Sequence, residues 1–196
     1  REGVGETRAV TARIALAATL FALVLAPATR ADDVLIDQLA PAGSGSSTAS
    51  LNAAGYQGET ADDFTVPAGT QWTIGTVTAT GLAYGGNASE PVRVRIYPDA
   101  GGLPGATPAV DQTVTASSTT GTIAAVLTAA PALAPGVYWL SVQTQGPLLA
   151  DEWFWGFRAA QSGSPAAYRT PTGPCSAWTQ RSTCAGGAAA PDQLYK

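Results

Sequence analysis

Beyond Ala31 the chain is a succession of short alternations of apolar and polar residues, each cut off by proline or glycine, and this pattern points to β structure. The cleanest case is Pro91–Tyr97, where Val92, Val94 and Ile96 face one way and Arg93, Arg95 and Tyr97 the other. Asp62–Val66 alternates into Phe64 and Val66 and stops at Pro67-Ala68-Gly69. In Trp72–Leu82 the phase slips between Ile74 and Val77, which predicts a bulge near Gly75. Val110–Val114 and Thr119–Leu127 are rich in Thr and Val. The Pro135-Gly136 turn leads into Val137–Thr144, with Tyr138, Leu140 and Val142 on one face and Trp139, Ser141 and Gln143 on the other. Asp151–Arg158 sets Trp153, Trp155 and Phe157 opposite Phe154. Asp32–Leu39 also reads as a short strand. Ala40–Ala54 reads as a flexible Gly/Ser/Ala-rich loop, and Ser162–Pro191 as mostly loop, pinned by Tyr168 and Trp178. About eight short strands and no convincing helix predict an all-β, antiparallel, jelly-roll-like sandwich, one domain over 32–196. No fixed-period repeat is visible, which argues against a propeller or solenoid.

The first thirty-one residues read differently. Arg8 and Arg13 precede an apolar run from Ile14 to Ala26, and Thr29-Arg30-Ala31 is a small-residue exit, the pattern of a secretory signal peptide over 1–31. The run is shorter than the roughly 20 residues that a spanning helix needs. Later, Ala124–Gly136 is the most apolar stretch, and Pro131 and Pro135 interrupt it. The expected product is therefore secreted or held in the cell envelope, and does not span a membrane once trimmed. Leu194-Tyr195-Lys196 reads like the opening of a strand, so more sequence is expected beyond it.

The ten basic and fourteen acidic residues lose four and two with the leader, leaving a formal charge of −6. Arg93, Arg95, Arg158, Arg169 and Arg181 are scattered along the sequence, and the absence of a basic cluster argues against nucleic acid as a partner.

Several segments together carry a likeness: Ala61-Asp62-Asp63-Phe64-Thr65-Val66-Pro67, Trp72-Thr73-Ile74, the run Ile96–Gly105, Gly136–Gln143 and Trp153-Phe154-Trp155-Gly156. In this order they resemble a group of exported bacterial β-sandwich proteins, mostly of unassigned function and often joined to sorting or anchoring signals. The resemblance spans about Ala61 to Gln193. It implies a secreted or cell-surface sandwich and carries over no catalytic residue.

The chemistry available to the chain is narrow. It contains no histidine, which excludes Ser-His-Asp and Cys-His mechanisms and any imidazole metal site. Cys175 and Cys184 are expected to form a structural disulfide in an oxidising compartment, since they lack the close Cys-x-x-Cys spacing of a redox pair. No cofactor is expected, though a structural calcium ion has candidate ligands in Asp62, Asp63, Asp99 and Asp151. A carboxylate-based glycoside hydrolase would need two carboxyls about 5–9.5 Å apart. Neighbours on a strand point to opposite faces, so Asp62-Asp63 and Asp151-Glu152 would each supply at most one.

The tryptophans divide between two roles. Trp72, Phe64 and most of Trp153, Trp155 and Phe157 are expected to fill an otherwise Ala-rich core. Alternatively, Trp139, Trp153 and Trp155 form an exposed patch that stacks on sugar rings, with Gln143 and Arg158 supplying polar contacts. The leading expectation is thus a non-catalytic display, adhesion or accessory domain, its partner a polysaccharide or a cell-surface component.

Overall fold

The alternation at Pro91–Tyr97 becomes β6 (Pro91–Pro98), a strand of the larger of two facing sheets. The computed structural model describes residues 33–52, 57–84, 91–119, 121–146, 152–185 and 192–196; the predicted leader over 1–31 and the candidate ligand Asp151 lie outside the described residues. The larger sheet runs β14 (Thr179–Gln180), β13 (Ala167–Arg169), β3 (Glu59–Val66), β11 (Gly136–Gly146), β6 and β7 (Val110–Thr115). β2 (Ser50–Asn52) lies parallel to the end of β11. The smaller sheet runs β1 (Ala42–Thr48), β12 (Glu152–Arg158), β5 (Thr76–Tyr84), β9 (Thr122–Val126) and β8 (Ser117–Thr119). A two-stranded ribbon of β4 (Trp72–Thr73) and β10 (Ala132–Leu133) closes one side.

The fold is all-β, and its pairings are antiparallel apart from β2 with β11. The chain crosses from β3 to β5, returns to β6 and β7, crosses to β8 and β9, returns to β11, and crosses again to β12. This repeated switching between sheets is the jelly-roll way of burying one face of each strand. The faces predicted from period-two alternation meet between the sheets: Val92, Val94, Ile96, Leu140 and Val142 from the larger sheet pack against Val77, Ala79, Ile123, Ala125 and Trp155 from the smaller.

Three expectations change. Among the described residues of Asp32–Leu39 there is no strand; the segment is tied down instead by individual contacts, among them Gln38 N donating to Tyr195 O at 2.8 Å, Lys196 Nζ paired with Asp37 Oδ2 at 3.5 Å and Ile36 packed on the core. Within 40–54, β1 replaces the expected loop. Edge pairing needs only main-chain groups, and β12 offers them from Arg158 to Phe154. Gly45 permits the approach, since its φ of +103° suits glycine and a Cβ there would meet the Phe157 ring at 2.9 Å. The slip near Gly75 is a break between β4 and β5 rather than a bulge. Ser162–Pro191 is mostly irregular as expected, with β13, β14 and the short helix α1 (Arg181–Ala185) inside it.

Where a strand was expected to open at Leu194 there are isolated bridges instead, Gln193 with Phe157 and Tyr195 with Ala79, and the segment wedges between β5 and β12. Leu194 N donates to Gly156 O at 2.9 Å, and Thr80 N and Thr78 N donate to Leu194 O and Lys196 O at 3.1 and 2.8 Å. Tyr195 is buried in the core beneath it.

Candidate functional site: a polar recess on the outer face of the larger sheet

The alternation that sends Val92, Val94 and Ile96 inward sends Arg93, Arg95 and Tyr97 outward, and the strand register sets their neighbours. Arg93 and Arg95 lie opposite Gln143 and Ser141 of β11, and Arg169 of β13 lies opposite Glu59 of β3. The outer face is not left to solvent. Tyr97, Trp139, Ala61 and Ala167 form a second buried cluster, with Leu103 and Trp178 packed on it. Beside this cluster the sheet stays open as a recess of about 310 Å³. Glu59, Arg93, Arg95, Gln143 and Arg169 line its base, and Gln57, Thr170, Pro171 and Ser176 its rim.

Glu59 organises the base. Its Oε1 accepts from Arg95 Nη1 at 2.6 Å, Tyr97 Oη at 2.8 Å and Ser141 Oγ at 3.0 Å. Its Oε2 accepts from Arg169 Nε and Nη2 at 2.8 and 2.6 Å. Burial pushes the Glu59 carboxyl up, but the two guanidiniums and the hydrogen bonds from Tyr97 and Arg169 outweigh it and hold the group below its ordinary value. Burial and then the Glu59 charge push the Tyr97 hydroxyl up, so it stays a donor. Arg93 grips Asp111 through two bonds, Nε to Oδ1 at 2.7 Å and Nη2 to Oδ2 at 2.5 Å. Arg169 is also held over Trp178, 4.4 Å from the ring centroid.

The Cys175–Cys184 disulfide forms as the sequence led one to expect, and it fits an oxidising compartment. It closes a short loop that carries Ser176 and Trp178, and Thr170 N donates to Cys175 O at 2.8 Å. A loop of this length is worth about 2–3 kcal/mol on the chain-entropy model. The staple therefore stiffens a wall of the recess that has little regular structure of its own.

The proposed aromatic patch is not formed. Trp139, Trp153 and Trp155 are 0%, 3% and 0% exposed, and each indole N–H is spent inside the protein. They donate to Asp99 Oδ1, Gly121 O and Leu194 O respectively, each at 2.8 Å. The core reading holds for Trp153 and Trp155, which pack between the sheets, while Trp139 fills the outer cluster. Gln143 reaches the recess, its Nε2 donating to Gly58 O at 2.8 Å. Arg158 does not: it sits on the smaller sheet, where Nη1 donates to Gln38 Oε1 and Ser162 Oγ at 3.0 and 2.7 Å. Arg93, Arg95 and Arg169, scattered in sequence, converge. Glu59 was outside the strand as read from Asp62. The signal that would have found it is parity, since Glu59, Ala61 and Asp63 share a face of β3.

The candidate calcium ligands have other partners. Asp62 points to the core side, where Oδ2 accepts from Gln193 N at 2.7 Å, while Asp63 Oδ1 accepts from Ser164 N at 2.8 Å on the outer side. The turn at Gly163 (φ +77°) lets that backbone close on the Asp63 carboxylate. Asp99 caps its own turn by accepting from Gly101 N and Gly102 N at 3.0 and 3.1 Å. Among the described residues no group of three His, Cys, Asp or Glu side chains is placed to hold a metal ion.

These carboxylates make a pH prediction. Burial is the main cause that raises Asp62, Asp63 and Asp192 above their ordinary 3.8; the Asp192 charge adds to it at Asp62, and Asp63 reaches about 6. Groups with raised values favour the fold when protonated, so their contribution is full below 3.8 and lost as pH rises through the folded value. Glu59 and Asp111 are lowered, so their contribution is present above the ordinary value and lost as pH falls through the folded one. Stability is therefore expected to peak near pH 4 and to decline as pH rises from about 4 to about 6, the interval over which Asp63 keeps its proton in the folded chain and loses it in the unfolded one. A urea midpoint that climbs steadily over that same interval would contradict the assignment.

A second cavity, of about 200 Å³, opens at the end of the sandwich beneath residues 33–36. Phe64, Trp72, Ile74, Val77 and Leu140 line it, and it is mainly apolar. No family model, curated protein or solved structure matches this chain.

Proposed function

We propose that this chain is an exported, non-catalytic β-sandwich binding domain that works at the cell surface or outside the cell and engages carbohydrate through the outer-face recess. The observation that carries this reading is the recess itself, a concave polar surface on a rigid sheet whose base is a fully engaged Glu59–Arg95–Arg169–Tyr97 network. Preformed concavity with a few fixed polar groups is the usual form of a small-ligand site. Glu59 is the single carboxylate among the described lining residues and accepts from four side chains. It is therefore a structural acceptor and not one of a facing acid pair. A sandwich with a predicted leader, a disulfide and no histidine suits display or accessory binding.

The test is affinity electrophoresis of the folded chain through gels containing dextran, xylan or polygalacturonate, with a reducing-sugar assay alongside. Retardation by at least one polymer, no release of reducing ends, and loss of retardation in Ser176→Trp are the expected results. Ser176 is exposed on the rim, so its indole would fill the recess without disturbing the core. Release of reducing ends, or migration unaffected by every polymer, would end this reading.

A further inference from the structure

We propose that the recess selects a saccharide unit bearing one negative charge, a uronate carboxylate or a sulfate ester, held by the guanidiniums of Arg93 and Arg169. This rests on the carbohydrate-binding reading above and names its ligand class.

Charge supplies the first argument. Residues 32–196 contain six basic side chains and carry a net charge of −6, yet three of the six line this one recess. Glu59 and Asp111 neutralise two of the three, which leaves a local excess of one positive charge. A monoanion balances that excess. A phosphomonoester, with about −1.5 to −2 at neutral pH, would overshoot it.

Donor geometry supplies the second. Glu59 has its acceptor capacity filled, so the recess has donors to spare and few acceptors. Arg93 spends Nε and Nη2 on Asp111, and Arg169 spends Nε and Nη2 on Glu59 and Tyr97. Among the described residues, Nη1 of each has no protein partner, and the two side chains are about a third exposed (33% and 29%). Both guanidiniums are fixed in advance, Arg93 by its two bonds to Asp111 and Arg169 by Glu59 and the Trp178 ring, so little ordering entropy is lost on binding. An anion with two or more oxygens, able to accept from Nη1 of each guanidinium, suits these donors.

The remaining lining argues for a sugar attached to that anion. Gln57 and Ser176 offer an amide and a hydroxyl that both donate and accept, and Thr170 Oγ1, which donates to Thr172 O at 2.7 Å, can still accept, which suits sugar hydroxyls. A volume of about 310 Å³ lies at the small end of ligand pockets.

Isothermal titration with short oligogalacturonates, the same oligomers methyl-esterified, and dextran sulfate would test the proposal. The wild type is expected to bind the free acid or the sulfate ester about tenfold or more tighter than the methyl ester, and less tightly at high salt. Arg93→Gln is expected to remove about tenfold of the affinity for the charged ligand and to lower that for the ester by much less. Arg93→Lys keeps the charge but loses the guanidinium that two bonds to Asp111 hold in place, and should fall between. Which charged ligand binds tells carboxylate from sulfate. Equal affinity for acid and ester, both abolished by Ser176→Trp, would overturn the charge selection and leave carbohydrate binding standing. Charged-ligand binding that survives Ser176→Trp would overturn the proposal by placing the site elsewhere. No binding to any of the three would overturn both readings.

Discussion

Glu59→Ala is expected to destabilise the protein by about 3–5 kcal/mol, the range found when one partner of a buried ion pair is removed. The reason is the fate of what remains. Arg95 is 8% exposed at its side chain and would be left a buried cation with only a 3.6 Å contact to Asp111. Tyr97 Oη and Ser141 Oγ, both inside the same network, would lose their acceptor. For a domain of this size each kcal/mol is worth roughly 2–4 °C, so thermal melts should shift down by about 10 °C or more. The control is Glu59→Met with Arg95→Met, which removes the acceptor and its most buried cation together and should recover much of the loss. A melt of Glu59→Ala within a degree or two of the wild type would show that the network is solvated and that the base of the recess is not rigid.

Trp155→Ala is expected to cost about as much, roughly 3–5 kcal/mol, through a different mechanism. The indole is fully buried, 6.0 Å from the Trp153 ring centroid and 6.2 Å from that of Tyr195. Its Nε1 donates to Leu194 O at 2.8 Å and so helps pin the terminal wedge between β5 and β12. Alanine leaves a cavity and removes that donor, so Tyr195 and Gln193 should loosen as well. Trp155→Phe keeps most of the packing but not the hydrogen bond, and should cost about 1–2 kcal/mol. Urea unfolding measures both losses, and hydrogen exchange at Leu194 and Lys196 reads the loosening directly. If Trp155→Ala fell below about 1 kcal/mol, the core reading of this side chain would have to be abandoned.

Both residues show where sequence reading succeeds and where it stops. Trp155 belongs to a strand whose parity was plain, and a large aromatic on the apolar face of such a strand has little choice but the core. Glu59 precedes the alternation that the eye picks up at Asp62, so its place in β3 was not visible. Its partners come from β6, β11 and β13, elements distant in sequence. Asp62 was legible in principle, because it shares parity with Phe64 and Val66. It reads as a solvated strand end until the backbone N–H of Gln193 is seen to meet it. The Trp139 patch failed for a related reason. Alternation shows that Trp139 leaves the inner face, but not that Leu103 and Trp178 cover the outer one. In β1, a composition of Gly, Ser and Ala has no pattern to read, and only the free edge of β12 makes it a strand.

What the sequence determined by itself is local: that strands lie around Asp62–Val66, Pro91–Tyr97, Val137–Thr144 and Glu152–Arg158, which side chains they turn inward, and that no imidazole chemistry is available. Period-two alternation and the turn habits of proline and glycine act over a few residues, so they can be read one segment at a time. What only the tertiary structure decided is which outward faces meet. Three arginines far apart in the chain share one recess because strand register sets β6 beside β11 and β13 beside β3, and register is a property of pairs of strands that no single strand carries.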